Sequence, residues 1–207
     1  MIQVRQIITG TIEENCYIIY KGDQALIVDP GDETSKIKNE IEELNVRPVA
    51  ILLTHTHFDH IGSLEDIRVD YDIPVYVSAE EQEWLGDPVR NLSVNKPFSI
   101  IANPADYLFD PVETLDIEDF TFDVVPTPGH SPGGVSFIFH EDKFVISGDA
   151  LFRGSVGRTD LPGSEPAKLL PAIKHYLFSL PEDYAVYPGH SKDTTIGHEK
   201  YTNPYFR

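Results

Sequence analysis

The chain has 207 residues, 41% of them hydrophobic, enough apolar side chain for a sizeable core and unlike a disordered sequence. Lys and Arg number 16 against 34 Asp and Glu, and the formal charge of -18 argues against a nucleic-acid partner because it repels phosphate backbones. With one cysteine, Cys16, an internal disulfide is excluded.

Residues 2–8, 16–20 and 25–29 have the β-branched, alternating character of strands. Cys16 opens the second of these and reads as a small buried hydrophobe. Asp29-Pro30-Gly31 ends the third. The spacing of Ile37, Ile41 and Leu44 predicts a helix over 34–45, with Thr34 or Ser35 as its N-cap. A strand over 49–53 runs into a histidine-rich loop. One helix is expected over about 60–70, with Ile61, Leu64 and Ile67 on one face, then a strand over 74–77 and a helix over 79–85. Residues 86–111 contain Pro88, Pro97, Pro104 and Pro111 and show no period. Trp84, Phe98 and Tyr107, in and beside this stretch, read first as core packing, with the wall of a pocket as the alternative. Strands follow over 120–125, 135–139 and 143–147. A helix over 166–178 has Pro166 in its first turn. A strand over 184–187 and a short helix complete the pattern. No repeat, low-complexity tract or linker interrupts it, so a single mixed α/β domain over 1–207 with two sheets is expected. Met1–Gln6 lacks a signal-peptide layout and no apolar run reaches membrane-spanning length. A cytoplasmic protein without membrane contacts is the expectation.

The densest chemistry lies in Thr54-His55-Thr56-His57-Phe58-Asp59-His60, directly after the apolar run Val49–Leu53. Neutral imidazole and ionised carboxylate are the donors that borderline metals such as zinc prefer. Three later strands end in matching contexts: Pro126-Thr127-Pro128-Gly129-His130, Ser147-Gly148-Asp149 and Tyr187-Pro188-Gly189-His190. Four apolar strands thus deliver ligand-type residues at their carboxyl ends, the edge where open α/β sheets place their sites. Five of the eight histidines fall in these places. His140, His175 and His198 do not, and read as surface or packing residues. The pattern suggests a first metal held by His55, His57 and His130 and a second by Asp59, His60 and His190. Asp149 could bridge them, because a carboxylate has two oxygens.

The series His55-x-His57-x-Asp59-His60, His130, Asp149 and His190 resembles the metallo-β-lactamase-fold hydrolases, from Asp29 to His190. The resemblance implies a four-layer αββα sandwich with a dimetal site at one edge of the sheets. Within that superfamily, Thr127–Gly133, Gly148–Phe152 and Gly157-Arg158-Thr159-Asp160 look like the glyoxalase II-like branch, hydroxyacylglutathione hydrolases in their short bacterial form. Asp29 matches a position that buttresses the histidine loop in the family, and reads equally well as a turn carboxylate. Longer glyoxalase II members hold glutathione on a C-terminal helical region through basic residues; here residues 191–207 carry Lys192, Lys200 and Arg207.

The activity implied is metal-dependent hydrolysis of a small-molecule thioester, with hydroxide held by two zinc ions as nucleophile and Asp59 orienting it. Iron or manganese suits similar donors. A thiolate departs without a strong general acid, which favours a thioester over an amide. Arg158 reads either as a holder of a substrate carboxylate or as the partner of Asp160, and Arg153 as a second pocket cation. Two other readings stay open. One is a persulfide dioxygenase with a single iron on His55, His130 and Asp149. The other is a non-catalytic metal-binding module on a degenerate fold.

Overall fold

The computed structural model describes residues 1–110 and 112–207, so Pro111 of the irregular stretch lies outside the described residues. The chain resolves into two compact units: Met1–Phe109 with Asp116–Phe120, and Asp110–Leu115 with Thr121–Arg207.

In the first unit, β1 (Gln3–Thr9), β2 (Glu14–Lys21) and β3 (Gln24–Val28) form an antiparallel meander. β4 (Arg47–Leu52), β5 (Val75–Ser78) and β6 (Tyr107–Phe109) continue the sheet parallel to β3. The order is β1-β2-β3-β4-β5-β6. β2, β3 and β4 are buried almost along their lengths, which explains their unbroken apolar sequences. One face packs against α1 (Thr34–Leu44) through Ile37 and Ile41, and against α3 (Leu64–Tyr71) through Leu64 and Ile67. Cys16 sits in that core, fully buried, as its apolar context suggested.

Two helix expectations need correction. The cap of α1 is Glu33, in a left-handed conformation at φ 54° and without a side-chain capping bond. Thr34 is already helical, and its hydroxyl lies 2.9 Å from Ser63 Oγ and from Asp66 Oδ2. The single helix expected over 60–70 is two: α2 (Phe58–Ile61) and α3, parted at Gly62-Ser63. The break follows from crowding. A Cβ on Gly62 would collide with the Gly31 carbonyl oxygen, and Ser63 N donates to Pro30 O at 2.9 Å. The chain here is pinned to the turn after β3 and not to its own preceding turn.

After β5 a 3-10 turn, Ala79–Trp84, replaces the expected helix. The stretch beyond it is irregular but stitched. The buried Asn91 donates Nδ2 to Trp84 O and Ile100 O, at 3.2 and 3.0 Å, and accepts from Ser93 N at 3.0 Å. Its carbonyl accepts from Phe58 N at 2.8 Å, which ties the stretch to the start of α2. Trp84 is buried as expected, whereas Phe98 and Tyr107 are exposed and do not pack in the core. The side-chain bonds of Asn91 and Ser93 help to close the stretch, and Ile100, Ala102 and Ala105 pack it against the core, so Phe98 and Tyr107 are not needed there.

The second sheet contains β7 (Glu113–Ile117), β8 (Phe120–Pro126), β9 (Val135–Phe139), β10 (Phe144–Gly148), β13 (Ala185–Pro188) and β14 (Thr194–Thr195), in the order β14-β13-β10-β9-β8-β7. A small hairpin, β11 (Leu151–Phe152) with β12 (Ser155–Val156), follows β10. α4 (Pro166–Ala172) continues into a π-helical turn, Ile173–Leu177, just beyond Pro171, which removes one backbone donor from the helix. Leu169, Ile173 and Leu177 join Val145 and Val186 in the core, as does Ile196 of α5 (Ile196–Thr202). The alternate face stacks Phe122, Phe139 and Phe144. Among the described residues no helix is long and apolar enough to cross a membrane.

Candidate metal centre

Parallel direction puts ligands together. In the first unit β3, β4 and β5 run the same way, so the residues after each meet at one sheet edge. Asp29 follows β3, the histidine loop follows β4, and Glu81 lies in the turn after β5. β2 runs antiparallel to β3 and begins at that edge with Glu14. His55, His57 and His60 are buried there. The rings of His55 and His57 lie 4.7 Å apart and those of His55 and His60 4.1 Å apart. Asp59 is only partly buried, with Oδ2 3.4 Å from His60 Nε2.

Asp29 holds this loop. Its Oδ1 accepts from Thr54 N at 2.8 Å; its Oδ2 accepts from Thr54 Oγ1 at 2.6 Å and from His60 Nδ1 at 3.0 Å. Asp29, His55 and His60 are close enough to share an ion. The carboxylate of Asp29, however, is already engaged by three donors, and we read it as a support. Glu81, buried, accepts from Thr56 N and Thr56 Oγ1 at 3.0 and 2.5 Å. Glu14 accepts from Thr9 Oγ1 and lies 3.8 Å from His60 Nδ1; burial pushes its carboxyl well above the ordinary range. Sequence reasoning missed the roles of Glu14 and Glu81, each distant in sequence from the residues it serves.

In the second unit β8, β10 and β13 share a direction, so His130, Asp149 and His190 also arrive at one edge. Asp149 Oδ2 lies 3.3 Å from His130 Nε2 and 3.7 Å from His190 Nε2. Gly157 backs this group: an added Cβ would collide with the Asp149 carbonyl oxygen. The C-terminal segment braces it from outside. Glu199 Oε2 accepts from Gly154 N at 2.8 Å, and its Oε1 accepts from Thr194 Oγ1 at 2.6 Å. One buried carboxylate therefore ties the hairpin after Asp149 to the strand after His190.

The hydrogen bonds set three ring tautomers. Thr54 has one hydroxyl proton, given to Asp29, so at His55 Nδ1, 3.0 Å away, its oxygen accepts. His60 Nδ1 donates to a carboxylate and His130 Nδ1 to the Arg158 carbonyl, at 2.8 Å. Neutral, each ring carries its lone pair on Nε2. The Nε2 lone pairs of His60 and His130 then face carboxylate oxygens at 3.4 and 3.3 Å, and such pairs repel unless a cation or a proton lies between them. Imidazoles oriented through the other ring nitrogen, beside carboxylates, are the donor set a divalent metal takes, so the residues fit one.

The family model of the metallo-beta-lactamase superfamily matches residues 9–190. The chain belongs to the metallo-β-lactamase superfamily. It is 44% identical to a probable metallo-hydrolase of Streptococcus pyogenes serotype M6, over 100% of this chain and 91% of that one. It is 34% identical to the hydroxyacylglutathione hydrolase GloC of Haemophilus influenzae, over 93% and 92%. The crystal structure of BLEG-1 B3 metallo-beta-lactamase matches with a TM-score of 0.95 at 40% identity, covering 99% of each chain. TTHA1623 in a di-iron-bound form matches with a TM-score of 0.85 at 38% identity, over 97% and 99%. ETHE1 from Myxococcus xanthus matches with a TM-score of 0.76 at 25% identity, over 98% and 83%. The chain is thus a metallohydrolase with the metallo-β-lactamase fold, the fold its motif order implied.

In this superfamily member Arg158 and Asp160 form a two-pronged pair, Nε to Oδ1 at 2.7 Å and Nη2 to Oδ2 at 2.8 Å, both side chains exposed. Arg153, also exposed, donates Nη1 to Asp193 O at 3.2 Å. Hydrogen bonding to the guanidinium holds the Asp160 carboxyl down at about 2. The pair favours the folded state above the ordinary carboxylate range, and that contribution fades as pH falls towards 2. Full exposure keeps it small. Carboxyl NMR titration should place Asp160 far below its neighbours, and Arg158→Ala should return it to about 3.9. An unchanged titration in the variant would show that the pair does not persist in solution.

Proposed function

We propose that this metallohydrolase cleaves acyl thioesters of small thiols in the cytoplasm, without nucleic-acid or membrane partners. His55, His57, Asp59, His60, His130, Asp149 and His190 would hold two divalent ions, zinc foremost, with iron or manganese as substitutes. The two units act, on this reading, as one domain. The chemistry such ions supply is a water acidified to a pKa of about 7, hence hydroxide at neutral pH.

The observation that carries the thioester reading is the commitment of the ring protons. His55, His60 and His130 carry theirs on Nδ1, each given to a fixed acceptor. None of the three has a proton to hand to a leaving group. A thiolate, with a parent pKa near 8.5, departs unaided, whereas an amine does not. Asp59, partly exposed beside His60, would orient the attacking water. Arg153 and Arg158, exposed on and after the hairpin that follows Asp149, offer cations to a substrate carboxylate. Identity to hydroxyacylglutathione hydrolase GloC supports this substrate class.

Protein purified without added metal should contain about two divalent ions per chain and hydrolyse S-lactoylglutathione or another acyl thioester. Chelation should abolish the activity and zinc restore it. A second reading, iron-dependent persulfide oxidation on a single iron, has support in the approach of His130 Nε2 to Asp149 Oδ2 and in the likeness to ETHE1 from Myxococcus xanthus. One iron per chain with oxygen uptake on a persulfide, and inert thioesters, would replace the hydrolase assignment. Likeness to BLEG-1 makes a β-lactam the third assay arm.

A further inference from the structure

We infer that Glu81 is a positioning residue that sets the two histidines His55 and His57 for metal binding; the inference rests on the metal reading of the histidine loop. Glu81 is no ligand in that reading and takes no part in the chemistry. Its place in the fold is specific. β5 lies beside β4 and parallel to it, and the chain turns directly from β5 into the 3-10 turn Ala79–Trp84. The turn brings Glu81 back to the loop that follows β4. Two hydrogen bonds of Glu81 fall on Thr56, from the backbone N–H and from the hydroxyl.

Thr56 is the residue between His55 and His57. A carboxylate that fixes its N–H fixes the His55–Thr56 peptide plane, and the bond to its hydroxyl holds the residue from which the chain continues to His57. Displacement there moves both donor nitrogens together, and a shift of about 1 Å is enough to spoil a preorganised site. The same turn puts Trp84 against His57, ring centroids 6.2 Å apart, so Ala79–Trp84 controls the loop at two points.

Burial argues against a merely packing role. Glu81 and Thr56 are both fully buried. Taking a carboxylate out of water is costly, and an apolar residue would fill the same space more cheaply. What the carboxylate adds is direction: two charge-assisted bonds converging on one residue. The counterpart across the loop is Asp29, after β3, which holds Thr54 and His60. The histidine loop is thus clamped between carboxylates from the two strands that flank β4.

The test is a cobalt(II) titration of the full chain, read by the visible ligand-field spectrum, with kcat and KM for a thioester alongside. Glu81→Ala should weaken cobalt binding about 10- to 100-fold and alter the spectrum. kcat should fall while KM stays within about twofold, because substrate contacts are untouched. Both Thr56 bonds fall on Oε2, so Glu81→Gln keeps an oxygen that can accept them but loses the charge; it should fall between, which carries the test if the Ala variant does not fold. Wild-type affinity and spectrum in a folded Glu81→Ala, or in Glu81→Gln where the Ala variant is unfolded, would overturn the inference. Cobalt failing to bind the wild-type chain would instead bring down the metal reading, and this inference with it.

Discussion

Asp149→Ala is expected to cut thioester turnover by on the order of 100-fold or more and to lower the metal content of the purified protein. The lower bound comes from weaker perturbations: removing a residue that merely orients a ligand costs about 10- to 100-fold. Asp149 stands nearer the centre than that. Its Oδ2 lies between the Nε2 atoms of His130 and His190, and its backbone is wedged by Gly157. Without it two imidazoles remain at the edge with no negative charge between them. Asp149→Asn keeps the shape and loses the charge, so it should fall almost as far. Elemental analysis and kcat/KM for both variants decide the matter. Near-normal metal content with near-normal turnover would remove Asp149 from the centre.

The second large effect falls on stability. Asp29→Ala should lower the unfolding free energy of the metal-free protein by about 3–5 kcal/mol, the usual result of removing one partner from a buried charged network. Three buried donors lose their acceptor: Thr54 N, Thr54 Oγ1 and His60 Nδ1. The backbone adds a second term, since Asp29 has φ 48°, a left-handed conformation that Asp tolerates better than Ala. Asp29→Gly separates the two. Glycine adopts that φ freely, so whatever loss remains belongs to the carboxylate. Urea unfolding of both variants gives the comparison. A midpoint near wild type in Asp29→Ala would mean that the carboxylate is not what holds the loop.

Much of the site was legible because its residues are chemically unusual where they stand. Three histidines and a carboxylate directly after the buried strand β4 have few other uses, and the later Pro-Gly-His and Gly-Asp turns repeat the same logic at the ends of β8, β13 and β10. The supports were not legible. Glu81 sits in Glu80-Glu81-Gln82-Glu83, a polar run within the helix expected over 79–85, and its bond to Thr56 spans 25 residues. Glu14 is equally plain in sequence. The missed strands have a common cause as well. β6 and β7 are the outer strands of their sheets and mostly exposed or half-buried, so they lack the apolar run that marked β2 and β4. The false single helix over 60–70 came from a sound apolar period that Gly62, pressed against Gly31, interrupts.

The stretch stitched by Asn91 has a consequence for how this lineage can change. Its closure rests on one buried amide, the Ser93 hydroxyl and the packing of Ile100, Ala102 and Ala105, while Val89, Val94 and Phe98 face outward. Exchanges at such outward positions cost the fold little, usually within about 0.5 kcal/mol. The segment is also joined to Phe58, the residue after His57. Selection can therefore rewrite the surface beside the histidine loop one side chain at a time, without disturbing the frame that holds the ligands.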